Sequence, residues 1–307
     1  MIVVFGSINL DIFFRCARLP RTGETLLCDA AETAPGGKGA NQALAAARDG
    51  ARVHMAGAVG RDPFADEALH LLTAEGVDLS ALARSRRPTA CATIAVLPNG
   101  ENAIVVGSGA NLDVRADLLS DDLLAPETWL LLQMEVPYAE NWALIGRAKR
   151  RGVKVLLNLA PAGPVPDEAL RGTDLLAVNE VEAEQLLSAR GTGGDLRKGL
   201  AELAADHALT VVMTLGAQGL EAFTADGDVL VLPAPRIRAV DTTAAGDCFC
   251  GVLAATLQRG IALREALQRA VVAASLCCTR AGAQTSLPRS VEIDRALAEL
   301  GRDGAGR

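Results

Sequence analysis

AVDTTAAGDCFCG, residues 239–251, runs from an apolar pair, Ala239 and Val240, into Asp241, Thr242 and Thr243. Three small residues follow, Ala244, Ala245 and Gly246, then an acid, Asp247, and an apolar run with helical spacing from Phe249 to Leu257. The stretch reads as a strand or loop ending in a small-residue turn that opens a helix. Small side chains let backbone N–H groups approach a ligand. The first N–H groups of a helix have no intrahelical partners and lie at the positive end of its dipole. Such a turn suits phosphate oxygens. An aspartate inside it would repel a phosphate, so the economical role for Asp247 is to handle a proton beside a phosphoryl group in transfer. In isolation the stretch fits an ordinary acid of a first helical turn at least as well. At a helix N-terminus the Asp247 carboxyl is expected below its ordinary range, ionised at pH 7.

Upstream of this turn the chain alternates. Residues 129–133, 154–158, 175–178 and 210–214 read as strands, and helical patterns intervene at 138–151, 181–189 and 195–207. That is the pattern of a parallel sheet covered on both faces. Residues 220–223 and 229–232, joined through Asp226-Gly227, read as an antiparallel hairpin at the sheet edge, and helices beginning near 245, 263 and 291 close the chain, with a frayed tail from Gly301. Toward the N-terminus, residues 2–5 form a short apolar strand ending at Gly6, and residues 52–59 read as another. Gly36-Gly37-Lys38-Gly39 opens an Ala-rich helix. Segments near 11–34 and 89–107, the first including an alternating stretch at 25–28 and the second a hairpin signal at 98–101, read as a small β excursion of the kind that serves as a lid. The expectation is one α/β domain spanning 1–307, with a mainly parallel central sheet and a discontinuous β lid.

Composition narrows the function classes. Of 307 residues, 50% are apolar but only 3% aromatic, so a large core must be built from Ala, Leu and Val. The net charge of −7 argues against general nucleic-acid or anionic-membrane binding. Seven cysteines without a CxxC spacing read as small buried hydrophobes in a reducing compartment, and three isolated histidines disfavour a His-based metal site. No basic leader and no run near 18 apolar residues is present, so a soluble cytoplasmic protein is expected.

GxxxxGK[ST] is absent, and no GxGxxG follows the first strand. That sets aside a Walker-type site and weakens a dinucleotide-binding dehydrogenase. What remains is polar residues at strand ends, where ligands gather in open parallel sheets: Asn9 and Asp11, Glu135, Asn179 with Glu182, Thr214 with Gly216 and Gly219, and Asp247. Singly each fits a helix cap. Together, carboxylates suit sugar hydroxyls, because one can accept from two neighbouring O–H groups, and Asn179 with Glu182 suits a hydrated Mg²⁺. Asn9 and Asp11 stand two apart and so share a face of an extended segment.

The chain resembles the ribokinase branch of the PfkB carbohydrate kinase family from Ile2 to about Leu300. The resemblance is carried by GSINLD (6–11), PGGKGANQA (35–43), LQMEVP (132–137), NEVEAE (179–184), TLGAQG (214–219), DTTAAGDCFCG (241–251) and TRAGAQTS (279–286). It implies a three-layer α/β/α fold and ATP-dependent phosphorylation of a sugar's primary hydroxyl, most simply D-ribose. Asn9, Asp11, Gly37, Lys38, Asn41 and Glu135 match sugar-holding positions. Asp247 matches the catalytic base, and the amides of Ala244, Ala245 and Gly246 match the anion hole. Asn179 and Glu182 match a motif associated with Mg²⁺ and the ATP phosphates, and Thr214, Gly216 and Gly219 a nucleotide-contacting turn. Asp241, Thr243, Cys277, Arg280, Gly282 and Ser286 match a K⁺ site. The lid pieces match a lid that also forms a homodimer contact. Val271 and Cys250 depart from the pattern, where a polar residue and Asn are frequent, and Val271 bears on how adenine is held. A kinase for another sugar or a nucleoside, and a non-catalytic sugar sensor, are the alternatives.

Overall fold

The structure is a computed structural model that describes residues 1–97 and 102–305. In chain order its strands and helices are β1 (Ile2–Phe5), β2 (Asn9–Arg15), β3 (Ala31–Gly36), α1 (Lys38–Arg48), β4 (Val53–Val59), α2 (Pro63–Ala74), β5 (Leu82–Arg84), β6 (Ala90–Val96), β7 (Asn102–Gly107), β8 (Trp129–Leu132) and α3 (Tyr138–Arg150). They continue with β9 (Lys154–Asn158), α4 (Asp167–Arg171), β10 (Leu175–Asn179), α5 (Glu180–Ala189), α6 (Leu196–His207), β11 (Thr210–Thr214), β12 (Leu220–Phe223), β13 (Val229–Leu232), α7 (Ala245–Gln258), α8 (Leu263–Cys277) and α9 (Ser290–Ala305).

Nine strands form the central sheet in the order β13-β12-β11-β10-β9-β8-β1-β4-β5. Neighbours pair in parallel except β11 with β12 and β12 with β13. Strand β1 shows why: all four of its residues are fully buried, so both faces must be apolar. Ile2 and Val4 point into the layer formed with α1, α2, α7 and α8, and Val3 and Phe5 into the layer with α3, α5 and α6. With few aromatics the first layer closes through small residues. A Cβ on Gly251 of α7 would lie 2.5 Å from the Gln42 carbonyl oxygen of α1, so only glycine lets these helices approach so closely.

The second sheet has the order β3-β2-β6-β7 and is made of two separated pieces of chain, as the pattern predicts. It differs from expectation in detail. The alternating stretch at 25–28 forms no strand; the chain returns to the sheet only at Ala31, because Pro20, Gly23 and exposed polar residues fill the connection. The extended segment that holds Asn9 and Asp11 is β2, a strand of this second sheet. The hairpin expected at 98–101 lies outside the described residues. Of the two readings of residues 239–244 the loop is the one that forms, and α9 runs on to Ala305 where a frayed tail was expected from Gly301. All seven cysteines are free, and the thiols of Cys16 and Cys28 lie 3.1 Å apart at the base of the connection between β2 and β3.

Candidate active site

Strand β1 delivers the chain to Gly6 and Ser7, which cross the start of α1 at close range. A Cβ on Gly39 would lie 2.7 Å from the Ser7 nitrogen, and the Ala40 N–H donates to the Ser7 carbonyl at 2.9 Å. Gly37 caps α1 with φ of 89°, a left-handed conformation that glycine adopts without steric cost. Glu135, just past β8, seats its carboxylate on this helix start: Oε2 accepts from Ser7 Oγ (2.6 Å) and from the Lys38 N–H (3.1 Å). A helix N-terminus favours that negative charge.

Helix α7 begins opposite. Ala244 precedes it with φ of 60°, a strained position for a residue with a Cβ. The close α1–α7 crossing brings the first turns of both helices together, so that Asn41 Nδ2 donates to Asp247 Oδ2 (2.9 Å) and Gln42 Nε2 to Asp247 Oδ1 (3.2 Å). Asn41 Oδ1 is buried and has no partner among the described residues. Such an acceptor costs free energy unless a ligand donor meets it. In the second sheet, Asn9 Oδ1 accepts from Asn111 Nδ2 (2.8 Å), and the Asp11 carboxylate packs so tightly on Gly36 that a Cβ there would fall 2.2 Å from Oδ2.

Two cavities have linings joined by one hydrogen bond, from the Lys38 N–H in the first to Glu135 in the second. One, about 390 Å³, is lined by Lys38, Asn179, Glu182, Thr214, Gly216 and the turn from Ala244 to Asp247. The other, about 410 Å³, is lined by Asn9, Asn111, Glu135 and Tyr138. Gly219 lies outside both lining sets. Its φ of 101° and a would-be Cβ 2.0 Å from the Leu232 carbonyl mark it as the residue that closes the β11–β12 connection.

The electrostatics correct one expectation. The Asp247 carboxyl is raised above its ordinary value, not depressed. Burial dominates, with Glu135 adding to it, and Lys38 and the two amide donors only partly offset them. The argument from the helix N-terminus omitted desolvation, which wins because α7 starts inside the protein. Burial, with Glu135 and Asp247 adding to it, raises Asp11 to about 7. Burial lowers the Lys38 ammonium, but Asp247, Glu135 and Glu182 outweigh it and hold the group above its usual value.

Asn179 and Glu182 form a reciprocal capping box on α5: the Glu182 N–H donates to Asn179 Oδ1 and the Asn179 N–H to Glu182 Oε2, both at 2.8 Å. The helix-cap reading therefore accounts for the only Asn179 side-chain oxygen and for one oxygen of Glu182, whose second carboxylate oxygen stays available at the cavity. Burial lifts the Glu182 carboxyl above its ordinary value. No cluster of three or more His, Cys, Asp or Glu side chains suited to a metal exists among the described residues.

Asp241 Oδ1 accepts from the Thr243 N–H (2.9 Å) and hydroxyl (2.6 Å), and Oδ2 from the Gly282 N–H (2.9 Å). Cys277 Sγ lies 3.0 Å from Ser286 Oγ. Five of the six residues matched to a cation site thus come together, whereas the Arg280 side chain turns outward to Glu292.

Sequence reading missed several polar residues of the site. Gln42 and Asn158 were legible, one inside the glycine-lysine motif and one at a strand end. Asn111 gave no signal, because its role depends on a contact 102 positions away in sequence.

Among the described residues no helix is long and apolar enough to cross a membrane. The pattern of the pfkB family carbohydrate kinases matches residues 1–290. A ribokinase from Lactococcus lactis is 33% identical over 301 residues, covering 97% of each chain. The crystal structure of a ribokinase from Thermotoga maritima superposes with a TM-score of 0.91 at 31% identity, covering 97% of this chain and 99% of that one. An Arabidopsis thaliana ribokinase complexed with ribose and ATP gives 0.87 at 31% identity, covering 96% and 98%. With its three-layer fold, its small second sheet and a match along nearly the whole chain, this protein belongs to the pfkB family of carbohydrate kinases.

Proposed function

We propose that this chain works as one α/β domain with a β lid, and transfers the γ-phosphoryl group of ATP to the terminal hydroxyl of D-ribose, giving ribose 5-phosphate. The observation that carries the proposal is the Asp247 carboxylate, held by two amide donors in the first turn of α7, beside an orphaned Asn41 oxygen and in the wall of the cavity that Lys38, Asn179, Glu182 and Thr214 also line. Asn9, Asp11, Gly37, Lys38, Asn41 and Glu135 hold the sugar, and Thr214 and Gly216 meet the nucleotide while Gly219 shapes their turn. Asp247 accepts the hydroxyl proton as the oxygen attacks phosphorus. A loose phosphoryl-transfer transition state needs that proton removed only late, so positioning and the N–H groups of Ala244, Ala245 and Gly246 do most of the work.

Mg²⁺ suits the oxygen donors at Asn179 and Glu182. Because the capping box occupies the single Asn179 oxygen and one Glu182 oxygen, they would hold it through its waters. When bound it neutralises charge on the phosphates. A coupled ADP-release assay with a panel of pentoses, hexoses and nucleosides tests the whole reading. Sugar-dependent turnover is expected, and sugar binding without ADP release would identify a sensor instead.

Asp11 sets a pH dependence. Above about 7 its carboxyl is ionised and accepts from sugar hydroxyls; below, it is protonated and one acceptor is lost. The kcat/KM for sugar is therefore expected to fall as pH drops through about 7, on a limb that disappears in Asp11→Asn.

The oxygen-rich loop around Asp241, Thr243, Cys277, Gly282 and Ser286 supports K⁺ as an activator, with hydroxyl, carboxylate and backbone carbonyls as hard donors. Arg280 takes part only through its backbone. A cation there would order the turn whose amides meet the phosphate. Rates are expected to be severalfold higher in K⁺ than in Na⁺ at matched ionic strength, and equal rates would count against the site.

Edge strand β7 turns Ile104, Val105 and Val106 to solvent, the middle one 72% exposed. An exposed apolar sheet edge supports a homodimer through the lid. Seven free cysteines fit a cytoplasmic setting.

A further inference from the structure

Gln42 is fully buried and makes three hydrogen bonds that together fix its orientation. Its Oε1 accepts from Gln133 Nε2 at 2.7 Å, so its amide N–H groups must point the other way. They donate to Asp247 Oδ1 (3.2 Å) and to Asn158 Oδ1 (3.1 Å). The Asn158 amide is anchored in turn on the Ala177 carbonyl (3.3 Å). Two strand ends and two helices thereby meet in one chain of amides that terminates on a carboxylate.

We propose that Gln42 is a positioning residue that holds Asp247 turned toward the substrate and stabilises its ionised form. The inference rests on Asp247 being the base. A flipped Gln42 amide would place its oxygen against Asp247 and its N–H groups against the Gln133 donor, so the network permits one orientation only.

Opposing charges surround the carboxylate from every side. Asp11 on β2, Glu135 after β8 and Glu182 on α5 disfavour its ionisation; Lys38 on α1 favours it. The Cys248 and Cys250 thiols on α7 and Cys277 on α8 also face it. The ammonium of Lys38 acts on Asp247 and the carboxylates alike, whereas the Gln42 donor is directed at one oxygen. Asn41 supplies the second donor but also presents its orphaned oxygen to the site, leaving Gln42 as the donor with no other task toward ligand.

The test compares Gln42→Met and Gln42→Glu with wild type by kcat against pH at saturating sugar and ATP, by equilibrium sugar binding and by thermal melting. Saturation covers Asp11, so its titration does not enter. Gln42→Met keeps the length and removes the donors. Its kcat is expected to fall roughly tenfold to a hundredfold, the loss typical of a hydrogen bond to a charged group. Its sugar affinity should change little, and its acid limb should move up by about one pH unit. Gln42→Glu keeps the acceptor for Gln133 but sets a second carboxyl against Asp247, so its limb should move further in the same direction. If Gln42→Met fails to fold, the limb of Gln42→Glu decides. An unchanged acid limb in the folded variants overturns the proposal, whatever happens to kcat, because a merely structural role does not move a titration. An Asp247→Asn enzyme that retains its activity would instead overturn the base assignment on which the proposal stands.

Discussion

Asp247→Asn is expected to give a folded protein that binds sugar and has lost most of its turnover. Asparagine keeps the shape and one oxygen acceptor, but it cannot take up the hydroxyl proton. Losing a general base typically lowers the rate by about 10²–10⁴-fold. Stability should respond differently. The carboxyl is raised by burial, which means that ionising it in the site carries a desolvation penalty. Neutral asparagine removes that penalty, while one of the donors from Asn41 and Gln42 loses its acceptor. These terms oppose each other, so the melting temperature should shift by only a few degrees, and sugar affinity should stay within a few-fold. A kcat within tenfold of wild type would remove Asp247 from the chemistry. A collapsed melting temperature would show that the carboxylate acts as a structural bracket between α1 and α7.

How far the sequence could be read depended on whether the deciding contact was local. Strand β1 and strands β8 to β11 follow from patterns within a few residues, and each appears within a residue or so of its expected bounds, whereas the five-residue α4 between β9 and β10 was not expected. The antiparallel edge formed by β12 and β13 was legible for the same reason. Strand β5 was not legible: it has three residues, and its pairing with β4 depends on tertiary placement rather than on its own pattern. The site divides in the same way. The small-residue turn announces anion contacts, and the glycine-lysine motif a helix start, because backbone geometry dictates the residue types. The two-residue spacing of Asn9 and Asp11 gave their common direction, but not that β2 belongs to the second sheet. The raised carboxyl of Asp247 was read with the wrong sign, because a helix terminus is visible in sequence and its depth in the core is not. Asn179 and Glu182 show the reverse case. The cap pattern is local and it formed, yet the same residues also line the cavity beside it, which their own pattern does not show.

Substrate choice turns on Asp11, and the expected result is that D-ribose is the preferred sugar and that Asp11→Ala removes its advantage over 2-deoxyribose. Asp11 is nearly buried on β2, beside the carboxylates of Glu135 and Asp247, and it packs against Gly36 at the end of β3. Its direction is therefore fixed by both strands of the second sheet. An ionised carboxylate so held can accept from two adjacent hydroxyls of a cis diol at once. A sugar that lacks one of them leaves part of that acceptor without a partner in a closed site. Leaving a buried polar group unsatisfied costs about 1–3 kcal/mol, or roughly five- to 150-fold in selectivity. The comparison should be made above pH 8, where Asp11 is mostly ionised, given its value of about 7. The measurement is kcat/KM for ribose, 2-deoxyribose, fructose and adenosine on wild type and Asp11→Ala. In the variant, ribose should lose far more than deoxyribose, because only ribose used both acceptor positions. If adenosine or a hexose is preferred by about tenfold, a discrimination well within what one unsatisfied group supplies, then ribose is the wrong substrate and the kinase chemistry at Asp247 still stands. If wild type uses ribose and deoxyribose equally, the diol contact belongs to another residue, and Asn41, with its unpartnered buried oxygen, is the next to test.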